Sequence, residues 1–233
     1  EAHHMSSHRR FAEHLARRLF EQGYTVLSLE ALRSDMEGPI TRPLRHSDGY
    51  YVNDPAMANL VRFYLDAGGV VVGHEGSAQA RAAGADRSGL QAQAIADHLA
   101  AYPDQKILVL AGWGHVSEGG AQTAARLHEL TAVDPLTIDQ TAPAPASQPC
   151  GSEPHVYFDD PQTVITDGAA ARADLVIRHS GGCARGETWA DGLDGYRRIG
   201  LESPFQPPVL VQARLVDDPD EAVPLGNERD IDG

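Results

Sequence analysis

Histidine and glutamate recur in this chain at the ends of short apolar runs. Residues Tyr24 to Leu29 stop at Glu30, Val70 to Val72 stop at His74 and Glu75, and Ile107 to Ala111 stop at Gly112, Trp113, Gly114 and His115. A further polar cluster, Glu1, His3 and His4, stands just before the first helix-like stretch. An imidazole oriented by a carboxylate is a general base for water. Glu1 precedes a helix, where backbone N–H groups and the helix dipole favour an anion, so it can orient His3 or His4. A helix cap beside two exposed histidines is the ordinary alternative.

Each of the other positions has its own chemical reason. A glutamate closing a buried strand, as Glu30 does, is costly unless paired or hydrated, and a site rim supplies both conditions. Adjacent strand residues point to opposite faces, so one of His74 and Glu75 faces the site, and Glu75 is preferred. His115 follows the most strand-like segment, behind glycines that permit a tight turn and close approach of a ligand. Asp139 ends the next apolar run and is placed to orient a partner. His4 and His8 lie four apart, so on a helix they share a face and could hold a metal. His3, Glu75 and His115 complete that candidate ligand set. Arg9 or Arg10 lies within a turn and could stabilise a developing oxyanion. Gathered together, Glu1, Glu30 and Glu75 would repel one another and need a cation. A divalent metal, a protonated histidine or an arginine would serve. No G-x-S-x-G elbow and no G-x-x-x-x-G-K-S/T loop is present, so serine-nucleophile catalysis and nucleotide hydrolysis are poor fits.

The elements that position these residues alternate between helix and strand. Apolar spacing predicts a helix from His3 to Gly23, with Phe11, Ala12, Leu15, Ala16, Leu19 and Phe20 inward and Arg9, Glu13 and Arg17 mostly outward. Asp54 and Pro55 start a second helix, and Ser88 to Ala101 and Gly120 to Leu130 make two more. Strands are expected at the three apolar runs and at Leu136 to Ile138. Such alternation predicts an α/β fold with a mainly parallel sheet flanked by helices. In such a sheet ligands bind beyond the carboxyl ends of the strands, which is where the histidines and glutamates fall. The polar loop Ser34 to Asn53 is long enough to suggest function, and its Tyr50 and Tyr51 are candidate substrate contacts along with Asp139.

Residues 1–140 thus read as the α/β core that carries the site, 141–150 as a Pro/Ala-rich connection and 151–233 as a C-terminal β-rich extension. Strands are expected at His155 to Phe158, Asp174 to Arg178 and Val209 to Leu215, the last forming a hairpin with Ala222 and Val223 across Asp217 to Asp220. A strand is also expected before Glu1, since the first polar cluster has none of its own. The chain has 233 residues, 42% hydrophobic, and a net charge of −14. That charge argues against binding nucleic acid or anionic membranes, and no apolar run is long enough to span a bilayer. Cys150 and Cys183 have no zinc spacing. A single disulfide in an exported, periplasmic protein and two unrelated thiols both remain open. Oligomeric state is not readable.

Taken in order, Glu1, His3, His4, Arg9, Glu30, Glu75, Gly114 and His115 resemble the superfamily of erythromycin esterases, ChaN-type haem-binding lipoproteins and Tiki/TraB-type proteins. The resemblance covers about residues 1 to 140. It implies an esterase-like hydrolase in which His4 matches the base that activates water. Glu1, Arg9 and Glu30 match its supporting residues, and His115 matches the late histidine. The Tiki branch implies a divalent metal and peptide hydrolysis at similar positions. The ChaN branch implies a haem carrier without turnover, for which Tyr50, Tyr51 and the histidines could supply ligands. The expected partner is a small-molecule or peptide substrate. A carboxyl-rich rim suits a neutral or cationic one.

Overall fold

The computed structural model of the protein describes residues 1–33, 38–141, 155–158, 173–179, 209–213 and 226–230. Three short strands form its centre: β1 (Val26–Leu29), β2 (Val70–Gly73) and β3 (Ile107–Leu110). They make a parallel sheet in the order β2-β1-β3. All four residues of β1 are buried, so the run reads as continuous rather than alternating apolar sequence. Leu29 lies level with Gly73 on one side and Leu110 on the other. The three strands therefore end together, and the residues that follow them emerge on one rim.

Helices cover both faces of this sheet. On one side α1 (Ser6–Phe20) packs on α2 (Pro55–Asp66), with Leu27, Leu29, Val71 and Leu110 in their shared core. A five-residue helix, α3 (Ala78–Ala82), follows β2. On the other side α4 (Arg87–Ala101) packs on α5 (Thr123–Thr131), with Val109 against their cluster. Strand alternation explains the division, because Val109 lies level with Ser28 and both point away from the Leu27 side. Asp54 caps α2 by accepting from the Ala56 N–H at 2.8 Å, as the sequence predicts. Asp86 caps α4 in the same way, one residue earlier than expected.

The helix expected over His3 to Gly23 is shorter than the pattern suggests. His3 and His4 form a turn, and α1 begins at Ser6. The i,i+4 pairing of His4 and His8 on one helical face is thereby lost. Its polar face is also misassigned by periodicity. Arg9 and Glu13 are buried, because Arg9 meets Glu1 and Asp54 and Glu13 accepts from Arg17. Gly23 follows with φ +92, a left-handed stop that favours glycine.

The described part of the long loop is built rather than loose. Ile40, Leu44 and Val52 enter the core, and Ile40 bridges Val71 at the edge of β2. A 3-10 turn at His46–Asp48 is held by Asp48, which accepts from the Arg42 side chain and the Arg45 N–H. Residues 34–37 lie outside the described residues.

A second sheet contains β4 (Ile138–Asp139), β5 (His155–Phe158) and β6 (Leu175–Arg178) in the order β4-β6-β5, with β4 parallel to β6 and β5 antiparallel. Leu136, expected to begin its first strand, is exposed outside it. β7 (Val209–Ala213) pairs antiparallel with β8 (Gly226–Asp230). The strand partner is thus Gly226–Asp230, while Asp217 to Asp220, Ala222 and Val223 lie outside the described residues, as do Cys150 and Cys183. Among the described residues, no helix is long and apolar enough to cross a membrane.

Candidate functional site

Residue 1 lies against the end of β3, where the Trp113 N–H donates to the Glu1 carbonyl at 2.9 Å. The Glu1 carboxylate is 1% exposed. It accepts from Arg9 Nε at 3.0 Å and from Arg9 Nη2 at 3.0 Å. Arg9 also donates to Asp54 at 2.5 Å and to the His3 carbonyl at 2.6 Å. Burial opposes the charge on Arg9, but the Glu1 and Asp54 carboxylates outweigh it and raise its pKa. Arg9 is 2% exposed and gives its donors to Glu1, Asp54 and the His3 carbonyl, so it holds Glu1 in place behind the rim rather than facing a substrate.

Glu1 Oε1 lies 3.1 Å from His3 Nδ1. A carboxylate only accepts, so Nδ1 carries the proton and neutral His3 keeps a bare lone pair on Nε2. Tyr51 stacks on the His3 ring at 4.1 Å and fixes its plane. His3 Nε2 lies over Gly112, where a Cβ would come within 2.8 Å of it and 3.3 Å of Glu30 Oε2. Glycine is needed here for close approach, since its φ of −62 suits any residue.

The second half of the rim is organised by Arg87, the first residue of α4. Its Nη2 donates to Glu30 Oε1 at 2.5 Å and to Glu75 Oε2 at 2.7 Å, and its Nε donates to Glu75 Oε1 at 2.9 Å. Bonds to Glu75 lead the causes that raise the pKa of Arg87. Glu75 also accepts from Gln91 at 2.9 Å and pairs with Arg81 at 3.3 Å. Glu30 accepts the Gly112 N–H at 2.5 Å. Burial favours its neutral form, yet His115, the Gly112 N–H and Arg87 together hold the carboxyl far below the usual range.

His115 completes this half. Thr123 donates to Gln91 at 2.8 Å, so its oxygen is left to accept from His115 Nδ1 at 3.2 Å. His115 Nε2 lies 3.2 Å from Arg87 Nη1 and 3.4 Å from Glu30 Oε1. Neutral His115 accepts from Arg87 there, and a protonated ring would turn the same atom into a donor to Glu30. Glu1, Glu30, Glu75, His115 and Arg9 are therefore gathered at the strand ends, as the sequence predicts. Gly112 is where His3 and Glu30 meet.

Other candidates fall elsewhere. His4 is exposed and makes none of these contacts, so His3, not His4, takes the place beside Glu1. His8 is buried on the far side of the turn, accepting from the Ala2 N–H at 3.0 Å and stacking on His179 at 4.5 Å. Desolvation, then His179, pushes His8 down to about 3. The five candidate metal ligands His3, His4, His8, Glu75 and His115 are thus not brought together. Among the described residues no group of three or more His, Cys, Asp or Glu is arranged to hold a metal. The cation that the carboxylates require is instead arginine. The same pairing means the rim is not the strongly anionic field expected of bare carboxylates.

Tyr51 stands inside the cluster. Burial and then the Glu30 and Glu1 charges raise its pKa, and its hydroxyl is buried with no hydrogen-bond partner among the described residues. Tyr50 is exposed, accepts from Arg81 at 2.9 Å and lines a cavity of about 580 Å³ with His46 and Ser77. Asp139 caps its own turn by accepting from the Thr141 N–H at 2.7 Å. It shares a cavity of about 330 Å³ with Trp113, His115, Ser117 and Gln122. Arg87, Gln91 and Thr123 were not singled out from the sequence, and Asp54 was singled out only as a helix cap. The only signal for Arg87 was its place after the helix-capping Asp86. No family model, no curated protein and no solved structure matches the chain.

Proposed function

We propose that the protein is a hydrolase that cleaves a neutral ester or amide, with His3 activating the water. The observation that carries this reading is the Glu1–His3 pair. Glu1 fixes the tautomer, and Nε2 is left unshared on a side chain that is 41% exposed. His115 is a weaker candidate for the base, because Arg87 already donates to its Nε2. In the step proposed, His3 Nε2 takes a proton from water as the hydroxide adds to the carbonyl carbon. The carbonyl oxygen gains the negative charge. Arg87, 44% exposed, keeps one Nη1 N–H beyond those given to Glu75, Glu30 and His115, and that N–H supports the charge. Collapse expels the alcohol or amine, which takes the proton back from His3. The cavity beside His115, with its exposed Trp113, would hold the acyl or leaving group.

No step is routed through a metal, because Arg9, Arg81, Arg87 and Gln91 already occupy the carboxylate oxygens. The experiment is a panel of neutral p-nitrophenyl esters and p-nitroanilides with the full chain. Saturable hydrolysis is expected. His3→Gln should lower kcat/KM by about 10²-fold or more, Glu1→Gln should act mainly on kcat, and His4→Gln should change neither. Absence of turnover, an unchanged rate in His3→Gln, or loss of activity on chelation with recovery on adding zinc would overturn the reading.

A further inference from the structure

The α4 side of the sheet carries a polar chain that the rim cluster does not use. Ser28 is completely buried in the middle of β1. Its Oγ lies 2.9 Å from His74 Nδ1 and 3.3 Å from His98 Nδ1. Strand alternation places Ser28, Val72 and His74 on this face. A serine hydroxyl has one proton to give and two lone pairs. Between two Nδ1 atoms it donates to one and accepts from the other. The two neutral histidines must therefore hold opposite tautomers.

His74 is also completely buried, and its Nε2 has no hydrogen-bond partner among the described residues. Glu30, His98, Glu75 and His115 are the titratable groups that act on it. Two nearby carboxylates favour an N–H over a bare lone pair at that atom. Nε2 then carries the proton, Ser28 donates to His74 Nδ1, and His98 donates its Nδ1–H to Ser28. Burial is the leading cause that pushes His74 down to about 4, and it also lowers His98. Both rings stay neutral near pH 7 and pass protons by exchanging tautomers. His98, near the C-terminal end of α4, is only partly buried.

We propose that His74, Ser28 and His98 form a proton relay between the carboxylate rim and solvent beyond α4. In one passage His74 Nε2, which has no partner among the described residues at rest, gives its proton to a water or substrate atom that enters beside it from the rim. His74 Nδ1 takes the Ser28 proton, Ser28 takes the His98 Nδ1 proton, and His98 Nε2 takes one from water. One proton has entered, and both tautomers are reversed. The chain is then set to carry the next proton outward, which suits a site that must both deliver and recover a proton.

This inference goes beyond the hydrolase reading and is measured in the resting protein, so a failure of turnover leaves it standing. Histidine labelled with nitrogen-15 in the full chain reports both tautomers by NMR. The expected result is Nε2–H on His74 and Nδ1–H on His98. Exchange of the His74 Nε2–H into heavy water should slow at least about tenfold in His98→Gln, because an amide can hold Ser28 but cannot pass a proton. Ser28→Ala should slow it likewise. The same tautomer on both rings, or wild-type exchange in a folded His98→Gln, would overturn the relay. If both variants unfold, the tautomers of the unsubstituted protein decide.

Discussion

Arg87 is the residue on which the charge balance of the rim turns. It bridges two carboxylates that are 2% and 1% exposed. Removing one partner of a buried pair leaves an uncompensated charge, although the half-exposed guanidinium limits the cost. Arg87→Gln is expected to destabilise the protein by about 2 kcal/mol in urea unfolding. Adding Glu75→Gln should recover part of that loss. A fully additive double mutant would show that the pair is not coupled. Glu30, Glu75 and His115 were legible because each is a polar residue where an apolar run stops, and burial there demands a partner; Glu1 was legible as an anion placed before a helix. Arg87 was not, since Asp86, Arg87 and Ser88 read as an ordinary helix start. Spacing does not reveal that a first-turn side chain folds back across the rim. The choice between His3 and His4 was equally hidden, because it depends on where α1 begins.

Among the elements, α1 shows how far periodicity carries. Its existence, its glycine stop and its apolar stripe were all readable. Its buried Arg9 and Glu13 were not, because the partner that admits Arg9, Asp54, lies far along the chain at the cap of α2. The same helix carries His8, which titrates near 3 in the fold against 6.5 ordinarily. The unfolded chain therefore binds more protons between those values, and stability falls as pH drops from 6.5 toward 3. His74, near 4, acts in the same direction between 6.5 and 4. Each contributes up to about 1.4 kcal/mol per pH unit. The urea midpoint is expected to be lower at pH 5 than at pH 7, with a shallower dependence in His8→Gln. A midpoint unchanged between those pH values would contradict the neutral burial of both rings. Strand ends were legible within a residue or two for β1, β2 and β3, where runs are short and bounded by glycine. The partner of β7 was not, since turn residues mark a reversal but not its length.

For the whole molecule, alternation of helix and strand was enough to predict the parallel sheet and the rim on which it places the polar residues. Net charge was less informative. A total of −14 does not concentrate at the rim, where arginines answer the glutamates. The outer side of β3 has a further consequence. Among the described strands β3 pairs with β1 alone, although residue 1 exchanges bonds with Ala111 and Trp113 just beyond its end. Lys106, held over the Tyr24 ring at 5.2 Å, stands at the start of that flank. Lys106→Val is expected to raise light scattering at high protein concentration without lowering the urea midpoint, and unchanged scattering would count against this role. Among the described residues no strand lies on the outer side of β3, and such an edge can receive an extended chain. A second copy laid along that seam is the adhesion that a charge at its entrance, Lys106, would oppose while the molecule is still folded.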